Sequence, residues 1–282
     1  MNNIIYTVLL FNLLIILFKL FDKYNVDNLQ ALTVNYATAS IFCYYVFLDN
    51  KNINQIINQD WFNSTFFLGC LFIIIFAIYA YSTQKIGIIF TTLANKMSVV
   101  VPVTIALMIY PSEIFDIKKS IALFLAIIAI YLCSNTNKIK LDKKYYWLIL
   151  SVFLGQGILD VYFNHIVQSF SLKLGYDFFV VLFIISSFCG LLLVIINRII
   201  NNVKIKSKNI LWGIIFGIPN LFSMIFFVNA LNELNSSIVY PLVSIGIVAS
   251  SALLGNFIYK EKLNFNNWLG ISIAALSIYL FI

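Results

Sequence analysis

Residues 178–196 read FFVVLFIISSFCGLLLVII, and this stretch decides the fold. It carries no charged side chain. Wound as an α-helix it rises ~1.5 Å per residue and reaches ~28 Å, close to the ~30 Å of a hydrocarbon core. Apolar and polar residues do not alternate along it, so a β-barrel strand is excluded. A helix satisfies its own backbone hydrogen bonds, as lipid demands. Ile4–Leu17, Phe66–Tyr81 and Ile121–Cys133 repeat the pattern.

Working outward, the chain divides into about ten spans: 3–21, 29–48, 64–84, 87–110, 118–135, 146–165, 177–197, 209–231, 235–258 and 265–282. The connections are short and collect most of the Lys, Asn and Asp. Of the 282 residues 62% are hydrophobic and 10% charged, too little polar surface to coat a water-soluble globule. Met1-Asn2-Asn3 lacks a basic n-region, so the first apolar run is expected to be a retained span and not a cleaved signal peptide. The net charge of +7 lies in short loops and bears on orientation and on the lipid bilayer, not on nucleic acid. Cys43, Cys70, Cys133 and Cys189 lie far apart in apolar segments and are expected as free thiols. Trp61, Trp147, Trp212 and Trp268 are expected as interfacial anchors.

Two halves resemble one another. At a spacing of 148 residues Glu113 falls on Glu261, Ile130-Tyr131-Leu132 on Ile278-Tyr279-Leu280, and Gly69 on Gly217. Ala122, Ala126 and Ala129 fall on Gly270, Ala274 and Ser277, so each half ends in a small-residue stripe that admits close helix packing. The chain is therefore expected to be an all-α polytopic membrane protein in two five-helix repeats, residues 1–137 and 144–282. Five spans per half forces the second to enter the membrane inverted. Inverted repeats place a pathway at their shared interface, which rocking of one half against the other opens alternately to each side.

At this point the chain resembles a ten-span, EamA-type member of the drug/metabolite transporter superfamily. The resemblance covers the whole chain. It rests on the two halves and on a proline-bearing span near the end of each, Asn95–Val103 with Pro102 and Ser236–Leu242 with Pro241. An acidic turn follows each span, Pro111-Ser112-Glu113 and Tyr259-Lys260-Glu261, and then a small-residue final span. Ser112 and Lys260 stand where the family pattern has Gly. The resemblance implies export or exchange of a small metabolite through a central cavity, with both termini in the cytoplasm. The lysines argue the reverse. Connections after odd spans carry Lys19, Lys23, Lys85, Lys138, Lys140, Lys143, Lys144, Arg198, Lys204, Lys206, Lys208, Lys260 and Lys262, and those after even spans only Lys51, Lys118, Lys119 and Lys173. The side stays open.

Polar residues inside spans are costly, about 2.5–3.5 kcal/mol for a charge at mid-bilayer, and mark candidate sites. Gln156, Asp160 and Asn164 recur at i, i+4, i+8 on span six, one face with a carboxylate able to bind a coupling proton or ion. Lys96 in span four, beside Asn95, could hold an anionic group, or its stem could snorkel to the interface. Its pairing with Asp160 would require tilt or a broken span. Tyr240 and Ser244 share a face of span nine with Ser237 and Ser251. Asn220 follows Pro219 in span eight. Asn12 in span one matches Gln156. These candidates, Asn12, Lys96, Gln156, Asp160, Asn164, Asn220, Tyr240 and Ser244, suit a small-molecule substrate, a zwitterion for instance. Glu113 and Glu261 read as helix caps. With one His, no HExxH and no GxSxG, an enzyme is not expected, and no motif implies a cofactor. A channel or receptor-like protein without carrier activity is the alternative. The expected location is the plasma (inner) membrane of a bacterium.

Overall fold

The structure, a computed structural model, describes residues 1–48, 56–86, 88–109, 116–134, 145–170, 174–259 and 264–281. Helices follow one another as α1 (Asn2–Lys23), α2 (Asn28–Phe47), α3 (Phe62–Ile86), α4 (Ile88–Met97), α5 (Val100–Ile109), α6 (Ile117–Ser134), α7 (Tyr146–Phe170), α8 (Tyr176–Asn201), α9 (Ser207–Glu233), α10 (Ser236–Tyr259) and α11 (Phe265–Phe281). No strand occurs among the described residues. Phe62–Tyr79, Trp147–Phe170, Tyr176–Asn201 and Ser207–Glu233 are long and apolar enough to cross a membrane, and shorter apolar stretches lie in α1, across α4 and α5, in α10 and in α11. The chain is an all-α polytopic membrane protein. Each expected span corresponds to one helix, save the fourth.

Span four is broken between Met97 and Val100, and proline chemistry explains the place. Pro102 has no N–H for the carbonyl of Ser98 one turn back. That carbonyl accepts instead from Val101 N at 2.9 Å, a tighter i to i+3 bond. The Ser98 hydroxyl donates to the Asn95 carbonyl at 2.5 Å, supplying a partner at the end of α4. Pro102 then sits in the first turn of α5, where a missing N–H costs nothing. Pro241 lies within α10, which continues unbroken past it.

Packing between the halves runs in exchanged pairs. α2 lies against α9, and α8 against α3. α1 meets α9, and α7 meets α3; α1 meets α10, and α7 meets α4 and α5. α2 with α8, and α6 with α11, pair across the two halves. Gly69 and Gly217, matched in sequence, occupy exchanged places. A Cβ on Gly69 would lie 2.8 Å from Ile185 Cγ2 of α8, and one on Gly217 2.8 Å from the Asn35 carbonyl oxygen of α2. Only hydrogen fits at either contact. The small-residue stripes of α6 and α11 are buried, with the Ser277 hydroxyl donating to the Ala122 carbonyl at 2.7 Å.

One expectation is corrected, and the free thiols are found as expected among the described cysteines. Trp61 is no lipid-facing interfacial anchor: it is fully buried, edge-on to Phe178. Cys70 and Cys189, distant in sequence, meet between α3 and α8 with sulfurs 3.5 Å apart, both as free thiols. Glu113, Glu261 and the lysines from Lys138 to Lys144 lie outside the described residues.

Candidate functional site

Gln156, Asp160 and Asn164 share one face of α7, as their four-residue spacing dictates. From Gln156 a polar line runs both ways. Its Oε1 accepts from Asn95 Nδ2 of α4 at 2.8 Å, and its Nε2 donates to Asp160 Oδ1 at 2.9 Å. The Asp160 backbone carbonyl accepts from the Tyr240 hydroxyl of α10 at 2.9 Å. One turn on, buried Asn164 donates through Nδ2 to Ser236 Oγ at 3.1 Å, leaving its Oδ1 without a partner.

Lys96 enters this line from the last turn of α4, where a cation meets the negative end of the helix dipole. The helix break just beyond it gives the discontinuity that a Lys96–Asp160 encounter requires. Its ammonium stands 5.7 Å from the centre of the Phe11 ring on α1 and within Coulombic reach of Asp160. The two do not touch: among the described residues the ion pair is that of the Met1 amine with Glu233, 3.8 Å apart at the surface. Asn95 and Gln156 supply neutral amides beside the Asp160 carboxylate.

Asn12, next to Phe11, is buried on α1. Its Nδ2 donates to the Val8 carbonyl and to Ser250 Oγ of α10, each at 2.7 Å, and the Ser250 hydroxyl donates in turn to the Gly246 carbonyl. Asn12 Oδ1 has no partner. The buried amides of α1 and α7 thus each keep one unsatisfied carbonyl oxygen, an acceptor awaiting a donor.

The structure therefore joins Gln156, Asp160 and Tyr240 in one hydrogen-bonded line and places Lys96 within Coulombic reach of Asp160. Asn164 continues it by one turn, Asn12 reaches it through Phe11, and Ser244 follows Tyr240 by one turn along α10. Asn220 stands elsewhere, between α9 and α2, where its Nδ2 donates to Asn35 Oδ1 at 3.1 Å. Sequence reasoning missed Phe11, Asn35 and Ser250 as partners. It placed Asn95 only as a neighbour of Lys96. On α10 the residue bonded to Asn12 is Ser250, one position from Ser251, which had been put on the polar face. No group of three His, Cys, Asp or Glu side chains suited to a metal ion occurs among the described residues. One carboxylate and one ammonium, held apart by amides, can engage the two ends of a molecule bearing both signs of charge.

Residues 143–282 match the model of the EamA-like transporter family. An uncharacterized protein of Haemophilus influenzae is 28% identical over 290 residues, 99% of this chain and 97% of its own. The probable 4-amino-4-deoxy-L-arabinose-phosphoundecaprenol flippase subunit ArnE of Proteus mirabilis is 38% identical over 81 residues, 28% of this chain and 71% of its own. A protein of known crystal structure with 11% identity superposes at a TM-score of 0.80 over 99% of this chain and 94% of its own, which shows a shared fold.

Proposed function

This chain belongs to the EamA-like transporter family of the drug/metabolite transporter superfamily, and on that premise we propose that it is a secondary transporter exporting or exchanging a small metabolite. Transport proceeds by alternating access through a pathway between two inverted repeats, residues 1–137 and 144–282. The exchanged helix pairs and the exchanged contacts of Gly69 and Gly217 support that division. The observation that carries the reading is the polar line inside the bilayer: Lys96 at the end of a broken helix, Asn95, Gln156, Asp160 and Tyr240. Lipid-buried charges without a function are costly, and discontinuous spans are where transporters bind their substrates.

In this reading Lys96 takes the anionic end of the substrate and Asp160 the cationic end or a coupling proton or ion. Asn12, Asn164 and Ser244 line the same pathway, and Tyr240 fixes α10 against α7. Asn220 belongs to the wall that α9 and α2 share. The Proteus mirabilis relative, by its name, acts on a molecule with an amino group and a phosphate ester, the two kinds of group that Asp160 and Lys96 would pair. A lipid-linked amino sugar phosphate is therefore a second substrate reading beside a free zwitterion. The bacterial relatives support a place in the plasma membrane of a bacterium.

Counterflow in proteoliposomes tests the proposal. Vesicles are preloaded with amino acids, nucleosides, sugars or organic acids, and uptake of labelled solute is compared between wild type and Asp160→Asn. Saturable accumulation that the substitution weakens supports a carrier with Asp160 in its pathway. Accumulation indifferent to the substitution removes Asp160 from the pathway. Conductance without counterflow makes the protein a channel and sinks the carrier reading.

A further inference from the structure

At the end of the bundle where α1 passes into α2 and α8 into α9, two connections are bound together by buried amides. Gln30 Oε1 accepts from Asn209 Nδ2 at 2.7 Å and from Lys206 N at 3.3 Å. Gln30 Nε2 donates to the Lys204 carbonyl at 3.1 Å, and Asn209 Oδ1 accepts from Asp27 N at 3.2 Å. Gln30 and Asn209 are only 6% and 1% exposed, so this is an internal clamp with solvent excluded. Asn25 and Asn202 turn the two connections through left-handed backbone, φ 49° and 52°.

The clamp lays a basic segment down in a fixed place. Lys204 and Lys206 are exposed along it, Arg198 projects from the last turn of α8, and Lys23 stands opposite at the end of α1. The Lys208 ammonium is held by the Tyr24 carbonyl at 2.8 Å. Tyr24 stacks on Trp212, ring centres 5.4 Å apart, and the Lys23 ammonium lies 5.7 Å from the Tyr24 ring centre. Of the acids in these connections, Asp27 is occupied capping α2, and the side chain of Asp22 lies outside the described residues. Among the described residues none of these cations has a carboxylate within ion-pair distance. Beside the cations Ile199, Ile200 and Ile205 are 73%, 70% and 49% exposed. A stacked tryptophan–tyrosine pair is the kind of anchor found at headgroup depth, and the cations and the exposed isoleucines lie beside it in the same connection.

We propose that this clamped basic face binds the headgroup of an anionic phospholipid, with Arg198, Lys204 and Lys206 on the phosphate and Ile199, Ile200 and Ile205 against the acyl chains. The isoleucine ledge commits the site to a lipid and not to free phosphate, which would gain nothing from it. A juxtamembrane cation contributes about fivefold to such binding, so three contribute on the order of a hundredfold. The site is remote from the polar line of α7 and stands whether or not that line carries substrate.

The full chain in detergent is titrated with phosphatidylglycerol, with phosphatidylcholine of the same acyl chains, and with sodium phosphate, and bound species are read by native mass spectrometry. Phosphatidylglycerol is expected to bind in preference, with an affinity that falls as salt is raised. Arg198→Gln with Lys204→Gln and Lys206→Gln should weaken it on the order of a hundredfold. Lys118→Gln with Lys119→Gln, at the start of α6, should leave it unchanged. Equal affinity for the two lipids, full retention by the triple variant, or displacement by phosphate at concentrations matching the lipid would each overturn the proposal. Because the salt and lipid-class comparisons use wild type, a folding defect in the variant cannot shelter it.

Discussion

Replacing Gly217 with alanine sets two known effects against each other. Alanine in place of a helix-interior glycine stabilises by about 0.5–1 kcal/mol, through lost freedom of the unfolded chain. The new Cβ would meet the Asn35 carbonyl oxygen and Thr38 Cβ, both at 2.8 Å. Neither is the far end of a flexible chain, so α9 must move off α2, at a cost of about 1–3 kcal/mol. Crowding wins, and the variant should lose about 1–2 kcal/mol, a fall of roughly 2–6 °C in melting temperature for a chain of this size. Gly69→Ala should behave alike, since its Cβ would press on Ile185 Cβ at 2.9 Å and on the Leu182 carbonyl oxygen at 3.1 Å. Gly155→Ala supplies the contrast. Its only close contact is the terminal Cδ1 of Ile75 at 2.7 Å, and the next atom is 3.7 Å away. The methyl can rotate aside, the helix gain survives, and melting should stay within about 2 °C of wild type. Purified protein in one detergent, melted while tryptophan fluorescence is followed, gives all three values. Gly217→Ala melting at or above wild type, or Gly155→Ala falling as far as the other two, would refute the close-packing argument for α2 and α9.

Copper phenanthroline should cross-link Cys70 to Cys189, whose sulfurs are 3.5 Å apart, and retard or sharpen the band on a non-reducing gel; Cys70→Ser should abolish the change, and persistence of the change in that variant would remove α3 and α8 from contact. Pro102→Ala restores a second donor for the Ser98 carbonyl and favours fusion of α4 and α5; because a first-turn proline costs little, thermal stability should change by less than about 1 kcal/mol while counterflow slows, and an unchanged rate would show that the break does not serve transport. Gln156→Leu strips the Asp160 carboxylate and Asn95 of a partner; counterflow should fall at least tenfold, whereas Asn220→Leu, acting on the α2–α9 wall, should lower melting more than it lowers rate.

The helices were legible because lipid leaves so few alternatives. An uncharged run such as 178–196 has one way to satisfy its backbone, and its neighbours inherit the same constraint. The break in span four was half legible. Pro102 announced a lost hydrogen bond, yet the same signal at Pro241, the sixth residue of α10, produces no break. Trp61 misled because tryptophan belts are a property of exposed residues, and burial depends on a connection whose path the local sequence does not specify. The Cys70–Cys189 contact was invisible for a different reason: it depends on how α3 rotates against α8, and neither segment encodes the other. Of the candidate site, the α7 face was read directly from its four-residue spacing. Its partner Asn95, and Ser250 as the partner of Asn12, were not, since a hydrogen bond between helices needs a rotation angle and a depth, and a shift of one residue along α10 turns the side chain by about 100°.

The halves of the chain also act as controls on one another. Asn12 of α1 bonds Ser250 of α10, and Gln156 of α7 bonds Asn95 of α4. Both tie an amide of the first helix of one half to the proline-bearing span of the other, though not at positions that the 148-residue spacing matches. On α1 the contact is neutral. On α7 it continues into Asp160 and approaches Lys96. A neutral interhelical bond in lipid contributes roughly 0.6–2 kcal/mol, and the Asn12 version shows that such a bond suffices for this packing geometry. A charge in the same setting costs about 2.5–3.5 kcal/mol, more than the bond returns. Packing therefore accounts for Gln156 and leaves Asp160 and Lys96 unexplained. Asp160→Asn is the matching substitution, because it keeps a side chain that can accept from Gln156 Nε2 and removes only the charge that the α1 half does without.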